Sequence, residues 1–78
     1  MQYVYILKCT DKSYYTGCTE NLDERIKRHE KGYVELTVKK LPVNPKWYCS
    51  FENKYKAYEF EKYLKSGSGI AFRNKHLV

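Results

Sequence analysis

The sequence predicts an α+β fold: a three-stranded antiparallel sheet flanked by helices, in the order β-β-α-β-α-α. Three observations carry this expectation. A β-branched and aromatic run opens the chain, a second follows within a few residues, and two later segments with helical periodicity each begin after an asparagine. Gln2 to Cys9 is apolar on both faces, as suits a strand in the middle of a small sheet. Thr10-Asp11-Lys12 is a polar break and Ser13 to Thr19 reads as a second strand, so a hairpin should join the two. Gly17 inside that strand suggests a bulge or the close approach of another group. Asn21, with Glu24 three residues later, opens a helix from Leu22 to Lys31 that stops at Gly32. Residues 33 to 45 are mixed, and Pro42 and Pro45 exclude a helix near their end. Lys46 to Phe51 is the third strand, and Asn53 starts a second helix over Lys54 to Ser66. Ser66-Gly67-Ser68-Gly69 reads as a break before a short closing helix from Ile70 to His76. At 78 residues there is room for one domain, spanning 1–78.

The net charge is +6, from 15 Lys and Arg against 9 Asp and Glu, which favours polyanionic partners. A solvated lysine-rich surface would give the same figure. Three cysteines without a CxxC spacing argue against a disulfide framework and against a zinc site. Cys9 and Cys18 read instead as small buried hydrophobes. With no secretory pattern and no apolar run of membrane-spanning length, a reducing, cytoplasmic setting and no membrane partner are expected.

Several polar residues fall on faces that should be apolar. On the first helix Leu22, Ile26 and His29 form one stripe, with Arg25 at its edge and one turn from His29. On the second, Ala57, Phe60 and Leu64 form the inner face and Glu61 falls beside them, whereas Glu59 points outward among lysines. A partly buried carboxylate requires a cation, a hydrogen-bond donor or a metal. Taken alone, Arg25 could snorkel, His29 could be hydrogen-bonded in the core, and Glu61 could sit in an ion pair. Tyr3, Tyr5 and Leu7 share one face of the first strand, and Tyr15 and Gly17 share a face of the second. Tyr5 and Tyr15 can therefore lie side by side on the hairpin.

At these residues the chain resembles the GIY-YIG nuclease superfamily, in particular a short stand-alone branch similar to the amino-terminal catalytic domain of the excinuclease ABC nuclease component. The first strand triplet is Tyr3-Val4-Tyr5 and the second Tyr15-Thr16-Gly17. Arg25 follows ten residues after Tyr15, His29 one turn later, and Glu61 lies within Glu59 to Lys65. The first triplet lacks the family's glycine. Asn74 is a candidate for a late asparagine near the site, outside the core prediction.

The resemblance implies metal-dependent hydrolysis of phosphodiester bonds in nucleic acid, expected to be DNA, with repair or recombination as its setting. Tyr5, Tyr15, Arg25, His29 and Glu61 would be the catalytic residues, and Tyr15, Gly17 and Arg25 would bind substrate. Glu61 would hold Mg²⁺ or Mn²⁺, and Arg25 would neutralise charge on the phosphoryl oxygens. Tyr5 is the expected general base with His29 as its proton acceptor, and Tyr15 orients water or phosphate. A partner protein could supply specificity. The alternative is a catalytically weak nucleic-acid-binding module using the basic surface without turnover.

Overall fold

The computed structural model describes residues 1–78. Apolar residues on both faces of β1 (Gln2–Lys8) place it between β2 (Tyr14–Thr19) and β3 (Asn44–Phe51), each antiparallel to it, in the order β2-β1-β3. Helices α1 (Leu22–Glu30), α2 (Lys54–Leu64) and α3 (Gly67–His76) complete the expected β-β-α-β-α-α order. No helix is long and apolar enough to cross a membrane.

The alternation of β1 divides the core in two. Val4 and Ile6 pack with Ala57 and Leu64 of α2, joined by Phe60, Trp47 and Phe51. On the opposite face Tyr5 and Leu7 pack with Cys9 and Val43, and with Leu22 and Ile26 of α1. Within the sheet Tyr5 stands opposite Gly17, Leu7 opposite Tyr15, and Val4 opposite Cys18 on one side and Cys49 on the other.

The caps follow the sequence signals. Asn21 Oδ1 accepts from the Glu24 amide at 3.1 Å and its Nδ2 donates to Glu24 Oε2 at 3.3 Å, while Gly32 turns the chain at φ +80°. Asn53 Oδ1 accepts from the Tyr55 amide at 2.8 Å and the Lys56 amide at 3.3 Å.

Two boundaries differ from expectation. The strand expected from Lys46 begins at Asn44 and includes Pro45, where the register with β1 slips between Ile6 and Leu7. An edge strand tolerates a proline there because one of its sides needs no ladder hydrogen bonds. The 66–69 segment is a helix start rather than a break. Ser66 Oγ accepts from the Gly69 amide at 3.2 Å and donates to the Tyr63 carbonyl at 2.6 Å, so α3 begins at Gly67 and α2 ends at Leu64. Gly69 is buried against the Tyr63 carbonyl, with no space for a Cβ. Small residues here therefore allow a tight helix-to-helix joint rather than a loop.

Candidate active site

Tyr5 projects from β1 over Gly17 on the free-edge strand β2. A Cβ built on Gly17 would overlap the tip of the Tyr5 phenol, so the glycine serves close approach, one of its two expected uses. Tyr15, one pair further along the same face, lies with its ring centroid 6.2 Å from that of Tyr5. The inward stripe of α1 brings His29 against both rings, at 5.7 Å from Tyr5 and 4.9 Å from Tyr15. His29 is fully buried, and both of its ring nitrogens are partnered.

Those partners form a hydrogen-bonded chain whose direction follows the His29 tautomer. With the proton on Nδ1, the fully buried Thr37 hydroxyl accepts it at 2.8 Å and donates to the Val34 carbonyl at 3.4 Å. Neutral His29 then has an unprotonated Nε2, which accepts from the Tyr5 hydroxyl at 2.9 Å. Burial and the nearby Arg25 charge both lower the His29 pKa, in keeping with a neutral ring. Burial raises the pKa of Tyr5 and the Tyr15 phenol adds to that, while the Arg25 charge pulls it back down. At rest Tyr5 is a phenol whose proton is committed to His29, leaving oxygen lone pairs to accept from elsewhere. Thr37 escaped sequence reasoning because a lone threonine in a mixed loop carries no periodic signal.

This burial has a consequence for stability. A histidine whose folded pKa lies below the unfolded value of about 6.5 resists protonation in the native state. Its contribution is intact above that pH and is lost as pH falls through the folded value. The melting temperature should therefore decline below about pH 6.5, and His29→Gln should flatten that acid limb in a pH series of thermal melts. An unchanged limb would mean that other groups set the acid sensitivity.

Arg25 is half-buried at the edge of the α1 stripe and pairs with no carboxylate; the ion pairs are Lys40–Asp11 and Lys65–Glu61. Its charge lowers the pKa values of Tyr5, Cys18 and His29, and Arg25 lines a cleft together with Cys18. Glu61 comes from α2, on the other side of the sheet. Its charge raises the pKa values of Cys18 and Tyr5 as a minor contribution to each. Its side chain is only 23% exposed and is held by Lys65 Nζ at 2.9 Å, one turn on. Glu59 is exposed, as expected. Asn74 is exposed on α3, where its Oδ1 accepts from Arg73 Nε at 3.1 Å.

The arrangement thus sets two phenols and an imidazole against one another at β2, with the Arg25 guanidinium free of any carboxylate, while Glu61 comes from across the sheet and is held by Lys65. A family model described as the GIY-YIG catalytic domain matches residues 1–73, and the chain belongs to the GIY-YIG family, a family of nucleases in general. Within it, the chain is similar to UPF0213 proteins. It is 48% identical over 66 residues to one from Clostridium perfringens, covering 83% of this chain and 71% of the relative. It is 40% identical over 70 residues to another from Pediococcus acidilactici, covering 85% and 70%. The solution NMR structure of a UPF0213 protein from Bacillus halodurans is similar with a TM-score of 0.61 at 34% identity, covering 96% of this chain and 84% of that one.

Proposed function

We propose that this chain is a metal-dependent endonuclease hydrolysing phosphodiester bonds in DNA, structure-specific and active in repair or recombination, with a protein partner adding selectivity. The observation that carries the reading is Arg25. A half-buried guanidinium with no carboxylate partner, beside a phenol whose proton is already committed, suits an incoming phosphate better than it suits stability.

Arg25 offers a forked set of donors to the phosphoryl oxygens as charge grows on them. The Tyr5 oxygen accepts a proton from the attacking water while its own proton passes to His29 Nε2. The imidazolium formed keeps its Nδ1 bond to Thr37. No free phenolate is needed at rest, so the raised Tyr5 pKa is compatible with a base that works through a relay. Tyr15 orients the water or the phosphate, and Gly17 lets the substrate backbone approach the strand.

Glu61 would hold Mg²⁺ or Mn²⁺. No group of three or more His, Cys, Asp or Glu side chains converges anywhere in the fold. A single, partly exposed carboxylate suits an ion that keeps most of its water and shares the substrate phosphate. When bound, the ion supplies positive charge for the leaving oxygen.

The direct test is nicking of supercoiled plasmid and of flap and branched duplexes with Mg²⁺ or Mn²⁺, expected to stop on chelation. Binding without any cleavage across that panel would leave a nucleic-acid-binding module instead. Thr37 gives a finer test of the relay. Thr37→Val, near in volume, leaves a buried Nδ1 proton without an acceptor and frees the His29 tautomer. Cleavage should fall about tenfold to a hundredfold, by analogy with other orienting partners of histidine, and Thr37→Ser should restore it. Nitrogen chemical shifts of His29 should report the Nδ1-protonated form in wild type and Thr37→Ser only. The relay fails if Thr37→Val keeps both the rate and the tautomer.

A further inference from the structure

Beside Tyr15, on the side of β2 away from the Arg25 end, an open cleft of about 330 Å³ lies between the 33–41 loop and the α2–α3 joint. Leu36, Leu64, Ile70, Tyr14 and Tyr15 give its lining an apolar majority. Leu36 is 70% exposed and Ile70 38%, so both spend apolar surface on solvent rather than on the core. Thr16, Lys65 and Arg73 also line it, Arg73 lying 4.8 Å above the Tyr14 ring.

Charge separates this cleft from the rest of the surface. Each of the three other clefts has two carboxylates in its walls, Glu20 together with Glu24, Asp23 or Glu52. The cleft beside Tyr15 has no carboxylate in its lining and two cations, of which Lys65 is paired with Glu61 and Arg73 is free of any carboxylate. An apolar lining that includes the Tyr14 and Tyr15 rings, with Arg73 at its side, fits a nucleotide whose base meets the apolar side chains and whose phosphate meets Arg73.

We infer that this cleft takes an unpaired nucleobase of the bound strand, next to the phosphate held at Tyr15 and Arg25. The inference rests on the nuclease reading for the neighbouring phosphate, but the cleft binds without turnover. A paired base is buried in its own stack and cannot offer its face to the side chains of the cleft. Strands with unpaired nucleotides beside the contacted phosphate are therefore preferred over continuous duplex.

The test measures binding by the full chain in the presence of chelator, so that cleavage plays no part. The probes are a continuous duplex and the same duplex carrying a short unpaired stretch with 2-aminopurine. Wild type should bind the second more tightly and change its 2-aminopurine fluorescence. Leu36→Asp places a carboxylate in the cleft and should weaken that binding about tenfold or more, leaving continuous duplex within about twofold. Leu36→Ala should give a smaller loss in the same direction, and both variants should keep the wild-type circular dichroism because Leu36 is exposed. Equal binding of the two probes by wild type, or Leu36 variants that lose both equally or lose neither, would overturn the assignment. Discrimination by a protein that never cuts would keep the cleft and remove the nuclease reading. Cleavage that ignores the Leu36 variants and the unpaired stretch would do the reverse.

Discussion

Glu61→Gln and Arg25→Ala are each expected to reduce nicking at least about a hundredfold without unfolding the chain. Both side chains are only partly buried, and the one ion pair lost is Lys65–Glu61. A solvent-reaching pair one turn apart on a helix contributes less than about 1 kcal/mol, so melting should move little. Activity should respond differently because, in the proposed mechanism, each residue supplies a distinct charge. Gln keeps the shape of Glu61 but removes the negative charge that would hold a divalent cation. Arg25→Lys should lie between wild type and Arg25→Ala, since it keeps charge and loses the planar fork. Nicking by Glu61→Gln and Arg25→Ala at the wild-type rate would overturn the mechanism.

Gly17→Ala, a single added methyl, should be almost as damaging for a different reason. Gly17 does not adopt a positive φ, so alanine faces no backbone penalty there. The obstacle is space: the new Cβ coincides with the end of the Tyr5 ring. Either Tyr5 swings away from His29 or β2 moves off β1, and both disturb the relay. Overpacking of this kind costs about 1–3 kcal/mol, and a displacement of about 1 Å at a reacting group can cost a hundredfold in rate. Thermal melts and nicking rates measured together should show both losses. An unaltered melting temperature with full activity would mean that the Tyr5 position is immaterial to either.

The elements were legible wherever one physical signal acted alone. Both apolar faces of β1 announced a central strand, and Asn21 and Asn53 marked helix starts by offering acceptors to free amides. The stripe on α1 predicted that His29 faces the sheet, and it is fully buried there. Glu61, the carboxylate beside the apolar face of α2, is the partly buried one, whereas Glu59 is exposed. Errors arose where local chemistry had two uses. Pro45 removes a donor, which ends an inner strand but not an edge strand, and edge position is a tertiary property. The glycines of 66–69 weaken a helix in isolation, yet Ser66 caps one and Gly69 permits its contact with α2. Thr37 lay beyond reach because its partner is eight residues away across an irregular loop. The phenols came to notice mainly through family resemblance, since alternation allowed their adjacency without requiring it.

The pairing of Val4 with a cysteine on each side has a redox consequence. Cys18 and Cys49 occupy the same level of the sheet but on its two outer strands, separated by two strand spacings, or roughly 10 Å. A disulfide needs Cα atoms within about 7 Å, so the intervening strand keeps these thiols apart. Burial also holds both thiols in the protonated, unreactive form. The folded protein is thus insulated against internal oxidation, and a Cys18–Cys49 cross-link would mark molecules whose central strand had come out of the sheet.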